Sequence, residues 1–250
     1  MAPIQRLGAA ILLTAGFAFG QTAKEATALK ASAPIKVDGV LDEAPWNTAP
    51  VLTDFIQFQP ERGAAASVRT KVRVLYDQTA VYFGFENDDP EPDKIAARLM
   101  KRDADLKADD SIAVYVDTYA DRRTCYYFMT NLLGTQADGR ISDNGNTRDA
   151  TWDAVWKSAA RKTETGWTAE IAIELSSIKY RPGRGKAWGL GILRISPRRL
   201  ETACWQGTVD SLVRVSQFGA LAGLDLERAA RRLQVIPHVV TRLEEGKAPE

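Results

Sequence analysis

Apolar and polar residues alternate with a period of two over much of the chain beyond residue 67. Val68, Thr70, Val72, Val74 and Tyr76 share one face of an extended segment, with Arg69, Lys71 and Arg73 on the other. This is the pattern of a half-buried antiparallel strand. The turn Asp77-Gln78-Thr79 leads into Val81-Tyr82-Phe83-Gly84-Phe85, which predicts a hairpin. Residues 111–117, 125–132 and 135–141 continue the series, with a turn over 118–123 and a break at Gly134. After the polar loop 142–151, residues 155–163 and 167–174 form another hairpin across Glu164-Thr165-Gly166, and 188–196 adds a strand. Only 93–101 and 175–178 invite a helical turn. Many short strands between regular turns predict an all-β fold, a jelly-roll-like antiparallel β-sandwich.

The two ends depart from this pattern. Arg6, the apolar stretch 7–19 and the small-residue site Ala18-Phe19-Gly20 read as a signal peptide over residues 1–20. Residues 21–33 read as an alanine-rich linker, 34–228 as the sandwich, and 229–250 as a C-terminal strand and tail. That late strand alternates through Leu233, Val235 and Val239, and Pro237 suits an edge. It pairs back onto the sandwich or begins a further domain. The chain is therefore expected to be exported.

Charge excludes one class of partner. The 33 basic and 32 acidic residues leave a net charge of +1 with no basic block, so a nucleic-acid surface is not expected. His238 is the only histidine, which excludes polyhistidine metal sites and histidine-dependent triads. Export would permit a disulfide between Cys125 and Cys204, the only pair available; two buried, unpaired thiols are the simpler reading.

Six tryptophans stand among the strands, where they build a core or a stacking platform. Trp167 shares a face with Ala169, Ile171 and Ile173 and is expected in the core, and Trp46 is expected to anchor the N-terminal segment. Trp156 favours the core. Trp152, beside the polar loop, and Trp205, beside Gln206-Gly207, are the candidate platforms. Glu170 and Glu174 lie opposite Trp167 and are expected at the surface; two exposed carboxylates on a sheet are common, and no catalytic role is expected. Asp138, Asp143, Asn144, Asn146 and Asp149 supply oxygen ligands of the kind calcium prefers, although not at EF-hand spacing, and a solvated turn is the simpler reading.

The segments Ile35-Lys36-Val37-Asp38-Gly39-Val40-Leu41-Asp42-Glu43-Ala44-Pro45-Trp46, Asp110-Ser111-Ile112-Ala113-Val114-Tyr115-Val116-Asp117 and Gly166-Trp167-Thr168-Ala169-Glu170-Ile171-Ala172-Ile173 occur in this order, followed by Trp188-Gly189 and Ser216-Gln217-Phe218-Gly219. Together they resemble the family 9 carbohydrate-binding modules, and most closely the variant at the N-terminus of bacterial outer-membrane barrel proteins. That variant is also similar in Gly134, Ile141-Ser142-Asp143 and Arg231-Arg232-Leu233, where its barrel begins. The resemblance implies a non-catalytic module with a saccharide ligand, attachment to an outer-membrane barrel and no required cofactor, and it allows structural calcium, for which Asp138, Asp143 and Asp149 are the candidates. In the sugar-binding members two tryptophans clamp the sugar. Here those positions fall near Lys107 and Leu212, the family's glutamate on Ala113, its arginine on Met129 and its glutamine near Leu193. Only its asparagine is matched, by Asn131. The expected carbohydrate contacts are thus Asn131, Trp152 and Trp205, on a site whose usual clamp is missing.

Overall fold

The computed structural model describes residues 23–226. The signal segment 1–20 and the tail 229–250, with His238, lie outside the described residues. In chain order the elements are β1 (Glu25–Thr27), β2 (Leu29–Lys30), α1 (Ala44–Thr48), β3 (Ile56–Gln59), β4 (Thr70–Tyr76), β5 (Ala80–Asp88), β6 (Ser111–Asp117), β7 (Cys125–Asn131), β8 (Gln136–Ser142) and β9 (Thr147–Asp149). They continue with β10 (Trp156–Thr163), β11 (Gly166–Glu174), β12 (Gly183–Arg184), β13 (Trp188–Ser196), β14 (Glu201–Cys204), β15 (Gly219–Ala222) and β16 (Asp225–Leu226).

Two sheets pack face to face. The larger runs β1-β15-β13-β6-β7-β8-β9, with β14 bridging β13 to β3, and the smaller runs β10-β11-β5-β4-β2. Their facing sides hold the main core: Val72, Val74, Phe83, Phe85, Trp167 and Ile171 from one sheet meet Ile112, Val114, Phe128, Trp188, Leu190 and Ile192 from the other. The β4 alternation places Thr70, Val72, Val74 and Tyr76 inward as the pattern requires, while Lys71 and Arg73 pair with Glu86 on the outer face. The fold class is therefore the all-β sandwich that the periodicity predicts.

The expected linker departs from its reading. Residues 25–27 and 29–30 are strands, each pairing in parallel at the margin of a different sheet, with β15 and with β4. Two or three residues are too few to show a period, so nothing in the local pattern marks them. Next, the segment 35–46 crosses the outer face of the small sheet. There Trp46, 1% exposed, packs with Leu75, Ala80, Tyr82 and Ala172, which gives it the anchoring role expected of it. The expected helical turn over 93–101 shrinks to a 3-10 turn at Pro92–Lys94, and 175–178 is a plain turn.

Candidate functional site

The outer face of the large sheet is apolar where an antiparallel sheet would ordinarily meet water. β6 is buried at every position: Ile112, Val114 and Val116 enter the main core, and Ala113 and Tyr115 point to the other side. Register arranges the outward residues in rows across β13, β6, β7 and β8. One row is Leu193, Ala113, Met129 and Ala137; the next is Gly191, Tyr115, Tyr127 and Gly139. Close approach requires both glycines. A Cβ on Gly139 would lie 2.6 Å from the Tyr127 hydroxyl, and one on Gly191 2.8 Å from the Phe218 ring.

Loops wall this floor into a groove of about 740 Å³, with Leu106 and Lys107, Leu212 and Val213, Pro197 and Leu200, and Gln59 and Pro60 lining it. Arg148 reaches over from β9. Its guanidinium carbon stands 4.5 Å from the Tyr127 ring centroid, and Nε and Nη2 donate to the Tyr127 hydroxyl at 3.0 and 2.9 Å. Burial pushes the phenols of Tyr115 and Tyr127 upward, the second against the pull of Arg148, so both stay neutral and keep an O–H to donate.

The positions that the resemblance singled out converge here. Leu193, Ala113 and Met129 are neighbours in one row, and Lys107 and Leu212 line the same groove. Asn131 lies two residues beyond Met129 and is fully buried. Its amide donates to Leu99 O at 2.8 Å and to Asp109 Oδ2 at 2.9 Å, and its oxygen accepts from the backbone N–H groups of Leu133 and Thr135, each at 3.0 Å. With those bonds made, Asn131 pins the segment before β6 to the sheet and has no donor left for a ligand.

The two candidate tryptophan platforms are elsewhere. Trp205 is 3% exposed in the main core, so its ring is closed to a ligand. Trp152 is half-buried against Tyr126, with ring centroids 4.7 Å apart, and against the edge of Phe128. Neither ring lines the groove. Glu170 also departs from its expected surface position. It is 1% exposed beneath the N-terminal segment, where Oε2 accepts the backbone N–H groups of Asp38 and Gly39, both at 2.8 Å. Cys125 and Cys204 are free, buried thiols.

The three acidic residues expected to hold calcium belong to separate networks. Asp138 is buried and accepts from Trp156 Nε1, Ala154 N and Arg102 Nη2; Asp149 accepts from Arg140 and Thr151; Asp143 is exposed, 3.9 Å from Arg123. Among the described residues the one acidic trio with oxygens within 4.8 Å of each other is Asp103, Asp138 and Asp153. Arg102 already sits in it, with Nη2 2.6 Å from Asp138 and 3.4 Å from Asp153. A guanidinium supplying the positive charge leaves no coordination sphere of six to eight oxygens, and the residues present do not fit calcium. Chelation with EDTA is therefore expected to leave the thermal midpoint of the full chain unchanged. A fall reversed by added calcium would show otherwise.

A sandwich of two mainly antiparallel sheets with a ligand-sized groove on one outer face defines a β-sandwich module of the kind that presents a preformed concave site. The family described as carbohydrate family 9 binding domain-like matches residues 37–208, more than half of the chain, and the chain belongs to that family. It is 26% identical over 148 residues to endo-1,4-beta-xylanase C of Paenibacillus barcinonensis, a stretch that covers 59% of this chain and only 12% of that enzyme. Among solved structures it is similar to a family 9 carbohydrate-binding module from Caldicellulosiruptor kristjanssonii in complex with cellotriose, with 16% identity, a TM-score of 0.55, and coverage of 86% of this chain and all of the other. It is also similar to a proposed carbohydrate-binding protein of Bacteroides uniformis, with 11% identity, a TM-score of 0.65, and coverage of 80% and 99%. At these identities the structural likenesses establish the fold.

Tyr115, Tyr127 and Arg148 are the groove residues that periodicity alone misses. A signal was present: in β6, β7 and β13 apolar residues occupy both registers, so a second layer had to cover the outer face.

Proposed function

We propose that this chain is a non-catalytic saccharide-binding module of an exported protein, periplasmic or held at the outer membrane, and that its ligand occupies the groove on the large sheet. One observation carries the reading. Four of the positions equivalent to the family's sugar contacts, Lys107, Met129, Leu193 and Leu212, are scattered in sequence and line a single groove. Its aliphatic floor suits the C–H face of a sugar ring, and phenol and guanidinium groups stand at its side to meet oxygen atoms. Of the two carboxylates considered for catalysis, Glu170 and Glu174, the first is buried beneath the N-terminal segment, so the two do not form an exposed pair, which favours a binding role.

A second reading, an interaction domain docked on an outer-membrane barrel that binds no sugar, is favoured by the absence of an aromatic ring at the clamp positions, which hold Lys107 and Leu212. Titration of the full, isotope-labelled chain with a panel of neutral and acidic oligosaccharides, followed by NMR, separates the two. The expected result is shift changes centred on β6, β7, β8 and β13. Ala137→Phe, which crowds the groove floor, is expected to weaken binding at least roughly tenfold and to cost about 1–3 kcal/mol of stability. No shift change with any oligosaccharide would leave the second reading in place.

A further inference from the structure

The turn that joins β13 to β14 carries a residue that its backbone disfavours. Leu200 follows the 3-10 turn Pro197–Arg199 in the left-handed conformation, with φ 54° and ψ 26°, and its N–H donates to Pro197 O at 3.0 Å. A Cβ is crowded in that conformation, and glycine or asparagine ordinarily closes such a turn. Of the described non-glycine residues with positive φ, Leu200 is the one with a bulky apolar side chain. That side chain is 78% exposed, so no core packing holds it there. An exposed leucine alone is ordinary; one kept in a strained conformation at the edge of a cavity is not.

The rest of the turn is fastened down. Arg198 Nη2 donates to both oxygens of Asp89, at 2.7 and 2.9 Å, and Arg198 Nη1 donates to Glu91 Oε2 at 2.6 Å. Arg199 Nη2 stands 3.6 Å from Asp89 Oδ1, and the Asp89 side chain is wholly buried. Both arginines therefore tie the turn to the segment after β5, and Leu200 is presented from a fixed backbone. It lines the groove together with Gln59 and Thr202, which pair across β3 and β14. The Gln59 amide and the Thr202 hydroxyl can each donate and accept. A lone aliphatic side chain among such groups matches a sugar ring, whose C–H face is bordered by hydroxyls, whereas a protein partner calls for a contiguous apolar patch.

We propose that Leu200 is a ligand-contacting residue whose side chain lies against the C–H face of a saccharide in the groove, an inference that rests on the saccharide-binding reading above. It supplies apolar contact to a site whose clamp positions hold Lys107 and Leu212. The left-handed turn then has a use, because it keeps the side chain out of the core and leaves its surface to be covered when the groove is filled.

Calorimetric titration of the full chain with cellotriose, with xylotriose and with each oligosaccharide of the panel that moves the NMR spectrum tests this, with the thermal midpoint read on the same samples. Leu200→Gly suits the left-handed turn and removes the side chain. It is expected to melt no lower than the parent and to bind at least roughly tenfold more weakly. Leu200→Met keeps an apolar side chain of similar volume and is expected to hold affinity within roughly threefold. The Leu200 methyl resonances are expected to move as the groove saturates. Parental affinity in Leu200→Gly, or Leu200 methyls unmoved at saturation, would overturn the contact and leave the saccharide reading standing. Weaker binding by a Leu200→Gly variant that also melts below the parent would assign the side chain to the fold and overturn the contact as well. Binding of none of these saccharides by the parent would overturn both the contact and the saccharide reading.

Discussion

Replacing Asp110 by alanine is expected to destabilise the domain by about 3–5 kcal/mol, read as a fall in the urea midpoint at constant slope. Asp110 and Arg194 are in contact with side chains 1% and 2% exposed. Burial drives both groups toward their neutral forms, the acid upward and the guanidinium downward, and their mutual attraction opposes this. The pair is therefore dear to bury, and its net contribution is small compared with the cost of halving it. Without Asp110, the Arg194 guanidinium is left with the Trp167 ring, 4.9 Å away, and the Ser196 hydroxyl, 3.3 Å from Nε. The double variant Asp110→Ala, Arg194→Met removes both charges together and is expected to recover most of the loss. If the double variant is as unstable as the sum of the singles, the pair is not acting as a coupled unit.

Arg194 also marks the limit of what alternation reveals. Leu190 and Ile192 point inward along β13, and Arg194 follows in the same register, so the pattern dictates its direction while its charge argues against it. The partner that resolves the conflict is 84 residues away in sequence. The strands of the sandwich were legible because their inner faces run over seven to nine residues with a period of two, as in β4, β6, β11 and β13. β1, β2, β14 and β15 were not, being short and held by pairing with strands far along the chain.

The groove was half legible for a related reason. Its location follows once the family's contact positions are laid on β6, β7 and β13. Its chemistry does not, because Arg148 acts by reaching over Tyr127 from a three-residue strand. Trp205 shows the converse. Its neighbours Gln206 and Gly207 suggest a surface, yet Gly219 lacks the Cβ that would stand 2.7 Å from its ring, and the indole closes into the core.

Glu170→Gln is expected to make the domain more stable than the parent above pH 7 and to flatten its stability between about pH 4.5 and 7. Burial, opposed by the two backbone N–H donors and assisted by the charges of Glu43 and Asp38, lifts the Glu170 carboxyl from 4.5 to about 7. Between those values the native state holds a proton that the unfolded chain has lost, so stability is greatest below pH 4.5 and declines as pH rises through 7. The decline is on the order of 3 kcal/mol. The geometry supplies the reason for the retained proton: Oε2 is occupied by Asp38 and Gly39, whereas Oε1 is buried without a partner among the described residues, as is Oε2 of Glu43. A glutamine keeps an oxygen for the two N–H groups and carries no charge to bury. Other buried carboxyls titrate in the same native state, so the quantity to measure is the difference between variant and parent in urea unfolding at pH 5 and pH 8. A difference that grows with pH is the expected outcome. A variant equally destabilised at both values would show that the ionised carboxylate is what holds the Asp38-Gly39 turn, and with it Trp46, on the sheet.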